Sequence, residues 1–297
     1  MKKMIYPLCL SLLLTGCGAA AEAPAAAEKP LPQQATAAVT RPVPSYSYEV
    51  RIEEVAGELT AEDGSVLLTY RYQLPVMWAS DEGGDPLPEE SLGEEAKSKV
   101  EAFNQQFDYW RDPDELRQLE EAAREDFQFK QEQGIYWGEG YAQELTTSVY
   151  RRENLISVSG MVYSFTGGAH PNTVYQSWNF DLEEGRPFDG KALAASSAQL
   201  SQAVASELLR QAGEKAQELG IPLEQMYWPE YESIFQDWGN YSVYFDEEGM
   251  NVVFSAYELA PYAAGPQIFT ISDQWLRPYL GESGCKTLGL DCEDAAN

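Results

Sequence analysis

A single histidine, His170, follows Gly167, Gly168 and Ala169 in the stretch FTGGAHPN. Imidazole is the one side chain whose ordinary pKa lies between pH 5 and 8, so His170 is a candidate general base, metal ligand or hydrogen-bonding strut. A zinc site would need Cys or further His partners, and none is near in sequence. A Ser-His-Asp set has hydroxyls to draw on at Ser164 and Thr166, but no nucleophile-elbow motif surrounds a serine. The third reading is a turn. Gly167 and Gly168 permit positive φ, and a residue before proline, as His170 is before Pro171, is pushed toward extended backbone. That reading assigns His170 a structural or contact role, with no catalytic residue, no metal ligand and no cofactor.

Carboxylates are the other candidate chemistry. Glu183-Glu184 and Asp246-Glu247 are pairs of the kind glycosidases use, and they carry an alternative function as an envelope-glycan hydrolase. With 48 Asp and Glu residues in 297, adjacent pairs also arise by chance, and the separation that decides such chemistry is not a sequence property. The acidic loop of residues 81–90 lacks an EF-hand pattern. Cys285 and Cys292 are not spaced as a C-x-x-C redox motif, and a zinc site would need more ligands. In an oxidising compartment they are expected to form a disulfide closing a short loop.

The amino terminus supplies that compartment. Lys2 and Lys3 precede an apolar run too short to cross a bilayer as a helix, and Leu14-Thr15-Gly16-Cys17 follows. This resembles a bacterial lipobox, with Cys17 as the lipidated first residue of the mature chain, anchored to a cell membrane on its extracytoplasmic side. Residues 18–45 are Ala/Pro-rich without apolar periodicity, as in a disordered tether. The formal charge of −28 disfavours nucleic acid and anionic headgroups and favours basic partners.

The remainder must position these groups. Alternating Tyr48, Val50 and Ile52, then Val66, Leu68, Tyr70 and Tyr72, predict two strands. Ala96, Val100, Phe103 and Phe107 fall at helical spacing. A second helix begins at Asp112-Pro113, where Asp112 caps, Pro113 suits the first turn and Glu115 completes a capping-box-like pattern; Leu116, Leu119, Ala123 and Phe127 form its stripe. Strand patterns return at ELTTSVYRR, NLISVSGMVYSF and NTVYQSWNFDL. A third helix is expected from about Ser197 to Leu219, with Leu200, Val204, Leu208 and Ala212 inward and a stop at Gly220. A hairpin turning at Glu248-Gly249, a loop over residues 260–266 and a final strand complete the chain. Strands and helices do not alternate strictly, so the expected class is α+β: antiparallel sheets with helices packed on one side, in two small subdomains. Tyr175, Trp228 and Trp238 are ring candidates for sugar stacking, with core packing the preferred use.

Two segments, YSFTGGAHPNTVYQSWNFDLEEGRPF and VVFSAYELAPYAAGPQIFTI, resemble hallmarks of RsiV/PdaC-like bacterial proteins: Gly-Gly-Ala-His followed by Asn-Phe-Asp-Leu, and a Tyr-Glu strand running into Ala-Pro-Tyr-Ala-Ala-Gly. The resemblance covers residues 46 to about 281. It implies a PdaC-like N-terminal domain over 46–163, an RsiV-like C-terminal domain of unknown function over 164–281, and an acidic tail over 282–297. One branch carries a separate deacetylase domain with His/Asp metal motifs, which a single histidine cannot build; a deacetylase-associated peptidoglycan-binding module is a further alternative. Another branch binds lysozyme. The resemblance therefore implies a non-catalytic binding protein for peptidoglycan or a basic, lysozyme-like exported protein. Its contact candidates are Gly167, Gly168, His170, Pro261, Tyr262 and Gly265.

Overall fold

The computed structural model describes residues 46–292. The signal segment, Cys17 and the 18–45 tether lie outside the described residues, as does the end of the acidic tail. The chain begins with two long strands, β1 (Ser47–Thr60) and β2 (Val66–Ser80). Helix α1 (Glu94–Asn104), a 3-10 turn (Gln105–Arg111) and helix α2 (Pro113–Glu132) follow. Then come β3 (Tyr141–Arg152), β4 (Leu155–Phe165), β5 (Asn172–Asp181) and β6 (Arg186–Phe188). Helix α3 (Ser197–Leu219) leads to the short helices α4 (Leu223–Met226) and α5 (Tyr231–Gln236). Strands β7 (Ser242–Asp246), β8 (Gly249–Phe254) and β9 (Gln267–Ile271) precede the final helices α6 (Asp273–Leu276) and α7 (Glu282–Leu288).

The fold is α+β. Strands β1 to β6 form one sheet in sequential order, and β7 to β9 form a second. Every neighbouring pair is antiparallel except one: β2 and β3 run parallel, over Leu68–Tyr72 and Tyr141–Leu145. A parallel pair needs a crossover, and α1 and α2 provide it. The boundary expected at 163/164 falls inside β4, whose antiparallel partners β3 and β5 come one from each side of it, so the large sheet spans both halves. Strand β2 continues past Pro75 to Ser80. Proline lacks the N–H that a ladder needs, but by Pro75 β2 has already left β3 and keeps only β1 as neighbour.

Alternation along β4 and β5 divides their side chains between two layers. Ile156, Val158 and Phe180 face Phe103 and Phe107 of the α1 region, all fully buried. On the opposite face Ser157, Asn179 and Asp181 are buried polar groups, the first two against the smaller sheet and Asp181 against α7. There β7 has no strand on its outer edge, so its backbone groups need other partners. The Phe245 N–H donates to Ser157 Oγ at 2.8 Å and the Val243 N–H to Ser177 Oγ at 3.2 Å. Asn179 Nδ2 donates to the Val243 carbonyl at 2.8 Å. The smaller sheet is thus docked edge-on by side chains of the larger one. Its own core joins Leu200, Val204, Leu208 and Ala212 of α3 to Phe254, Phe269 and Ile271. Gly220 ends α3 in the left-handed conformation, with φ +65°.

Candidate functional site

The Gly-Gly-Ala-His loop joins β4 to β5. Gly167 and Gly168 take φ of +85° and +101°, values that favour glycine, so the chain can reverse tightly. This leaves His170 exposed at the end of the large sheet. The segment between β8 and β9 arrives at the same place because β5 is short of partners there. β6 covers β5 only from Asn179 to Asp181. Further along, the Tyr175 N–H donates to Ser255 Oγ at 3.0 Å, and Ser242 Oγ donates to the Tyr175 carbonyl at 2.9 Å. Ser255 thus ties the β8–β9 segment, and Ser242 the start of β7, to the strand that leaves the His170 loop.

Three rings meet at the junction. His170 stacks on Tyr262, with centroids 4.1 Å apart and planes 22° apart. Tyr257 lies 5.4 Å from Tyr262, and its hydroxyl is 3.2 Å from His170 Nε2. The other imidazole nitrogen, Nδ1, is 2.9 Å from the Pro171 carbonyl, so both ring nitrogens have neighbours and the ring orientation is fixed. Pro261, Ala263, Ala264, Gly168 and Ala169 around these rings are small or rigid, and Pro261, Ala263, Ala264, Gly168 and Ala169 are partly or fully exposed. Gly265 takes φ +67° and ψ −170°, a region open essentially to glycine alone, and it turns the chain into β9.

Tyr257 went unnoticed in the sequence, where the motif read as a Tyr-Glu strand. That expectation is corrected: β8 ends at Phe254, and Tyr257 sits in a turn with φ +73°. A non-glycine residue there costs about 1–2 kcal/mol and persists where its surroundings dictate it. Here the Trp228 indole N–H donates to the Tyr257 carbonyl at 2.9 Å, and the Trp228 backbone N–H to the Leu259 carbonyl at 3.0 Å. The Glu258 carboxylate accepts from the Ser255 N–H. Strand alternation carries no signal for such a turn; the run Ser-Ala-Tyr-Glu contains neither glycine nor proline. Tyr257 is 48% exposed and His170 is exposed, so the ring cluster lies at the surface.

The other candidates lie elsewhere. Cys285 and Cys292 are joined as a disulfide, with Cα atoms 6.1 Å apart. It closes the loop after α7. Thr287 of that helix donates to the buried Asp181 carboxylate at 2.7 Å, and the same carboxylate accepts from the Glu183 and Glu184 N–H groups. Glu183 pairs with Lys286. Trp238 is buried in the core, and Trp228 serves Tyr257 as described. Asp112 caps α2 by accepting from the Asp114 N–H at 2.9 Å, while its own N–H donates to the Tyr109 carbonyl at 3.4 Å rather than to Glu115, so no capping box closes. Among the described residues, no group of three or more His, Cys, Asp or Glu is arranged to hold a metal ion, and no helix is long and apolar enough to cross a membrane.

Comparison with known proteins adds a family match over part of the chain and a similar fold. Residues 189–274 match the family described as "Protein of unknown function (DUF3298)". The matched span includes Tyr257 and Tyr262 and lies within the expected C-terminal domain of unknown function. The structure is similar to that of a DUF3298 family member from Bacteroides fragilis NCTC 9343, with a TM-score of 0.56 and 15% identity, over 82% of this chain and 98% of that one. A DUF3298 family protein from Pseudomonas aeruginosa PAO1 aligns over 82% of this chain and 97% of its own, at 16% identity and a TM-score of 0.43. No curated protein matches the chain.

Proposed function

We propose that this protein is a lipid-anchored, extracytoplasmic binding protein without catalysis of its own, which presents the His170–Tyr257–Tyr262 surface to a basic exported protein of the lysozyme kind. The observation that carries this reading is the stack of His170 on Tyr262, which locks two separate loops into one exposed, aromatic face. Rings whose orientation is fixed before binding lose little entropy when a partner covers them, and tyrosine is enriched among residues that dominate interfaces.

The formal charge of −28 attracts a cationic partner and speeds encounter, but its field is screened beyond about 8 Å at physiological salt. Specific binding must therefore rest on the rings.

The test is a titration of the soluble chain with lysozyme at low and physiological salt. Binding is expected to survive physiological salt and to weaken tenfold or more, about 1.4 kcal/mol, in Tyr262→Ala. Binding that vanishes at physiological salt, or that ignores Tyr262→Ala, overturns the proposal. Membrane fractionation with lipid labelling tests the anchor: Cys17→Ser is expected to release the protein, and unchanged labelling refutes lipidation at Cys17.

A further inference from the structure

A second concave site lies on the helix side of the large sheet and shares no residue with the aromatic face. A cavity of about 280 Å³ opens where the 3-10 turn and the first turns of α2 meet β2 and β3. That is slightly under the ~300 Å³ at which pockets for drug-sized ligands begin, so it has room for one ring of a ligand rather than a chain of them. Tyr72 and Trp110 are its buried walls, 4% and 8% exposed, with ring centroids 5.2 Å apart. Tyr109 is the open wall, 56% exposed.

An exposed tyrosine ordinarily rotates freely. This one is packed in place: its ring meets Trp110 edge-on, at 5.3 Å and 89°. The ring is therefore set in advance, so stacking against it costs little conformational entropy. The polar groups of the cavity are equally prepared. The Tyr72 hydroxyl donates to Gln143 Oε1 at 2.6 Å, which orients the Gln143 side chain and leaves its NH₂ group to donate elsewhere. Glu115 and Gln118, one helical turn apart on α2, line the same cavity and add a carboxylate acceptor and an amide.

We propose that this cavity binds one neutral pyranose ring, stacked on Tyr109 and hydrogen-bonded by Glu115, Gln118 and Gln143. A pyranose has an apolar C–H face that suits an aromatic ring and a rim of hydroxyls that both donate and accept. A carboxylate takes protons from adjacent hydroxyls, and side-chain amides serve either role. The cavity lining has no Lys or Arg, and it carries the carboxylates of Asp112 and Glu115. Anionic sugars such as uronic acids meet repulsion there without a compensating cation, so the site selects for uncharged rings.

The experiment is a titration of the chain, followed by NMR, with N-acetylglucosamine, glucose, galactose and glucuronate. Saturable binding of at least one neutral sugar is expected, with glucuronate weaker by about tenfold or more. Tyr109→Ala should weaken that binding about tenfold, the scale of one lost aromatic contact, while Tyr109→Phe keeps most of it. Tyr109 is at the surface, so an unchanged circular dichroism spectrum will show that Tyr109→Ala folds. Tyr262→Ala should leave sugar binding unaltered, which separates this site from the partner face. The proposal is overturned by the absence of saturable binding to any neutral sugar, by equal affinity for glucuronate, or by an affinity that Tyr109→Ala does not change.

Discussion

The Ser157 hydroxyl donates to the Asn179 amide oxygen across 2.8 Å, and this buried pair joins the two sheets. Ser157 also accepts from the Phe245 N–H, and Asn179 donates to the Val243 carbonyl, so two residues of the large sheet stand in for the strand that β7 lacks. Ser157→Ala removes the hydroxyl and leaves a buried N–H and a buried amide oxygen without it. The expected cost is about 2 kcal/mol, read as a lower urea midpoint with an unchanged slope. A midpoint equal to that of the native chain would mean that the edge of β7 is satisfied in another way.

His170 links the two loops of the aromatic face, so its replacement should be felt locally rather than globally. His170→Ala gives up a stack worth about 1 kcal/mol at a surface position, with little change in global stability. Amide exchange in residues 166–171 and 255–266 is expected to accelerate together. His170→Phe keeps the stack on Tyr262 and should retain most of the protection. Exchange that rises in one loop alone would show that the loops are held independently.

The Cys285–Cys292 bond closes a loop of a few residues, so its reduction releases only a modest constraint on the unfolded chain, about 2 kcal/mol. The same loss is expected in Cys292→Ser. Helix α7 should stay docked, because Leu288 is buried in the core and Thr287 is bonded to Asp181. Unfolding curves in the presence and absence of reductant measure the loss, and near-ultraviolet circular dichroism reports whether α7 and its surroundings remain packed.

Alkaline pH should weaken the fold through Tyr72. Burial chiefly, with Tyr109 and Tyr70 adding to it, pushes its hydroxyl up to about 12. An unfolded tyrosine ionises near pH 10. Between about pH 10 and 12 the unfolded chain therefore binds fewer protons than the folded one, and stability falls as pH rises through that window. Below about pH 10 both states are protonated and the contribution is constant. Tyr72→Phe is expected to flatten this decline, as seen by denaturant unfolding at a series of pH values; an equally steep decline in the variant would assign it to other groups.

Much of the local structure was legible because it depends on neighbours in sequence. The spacing of Leu200, Val204, Leu208 and Ala212 and the stop at Gly220 located α3, since a helix buries one stripe and ends where a left-handed residue is cheap. The alternation in β4 and β5 marked strands for the same kind of reason. Even the loops were identified, with Gly167, Gly168, His170, Tyr262 and Gly265 singled out as contact candidates. Their meeting was not legible. His170 and Tyr262 are separated in sequence by β5, α3 and the β7–β8 hairpin, and no periodicity records which loops share an end of a sheet. Tyr257 joins them only because Trp228 and Glu258 hold a turn that its own neighbours do not announce. Ser157 and Asn179 look like solvent-facing positions of alternating strands; they are buried because β7 brings its unpaired edge to them. The sequence by itself determined the elements, through patterns a few residues long. Tertiary structure alone decided which of their surfaces meet, because contacts between distant segments depend on how whole layers pack.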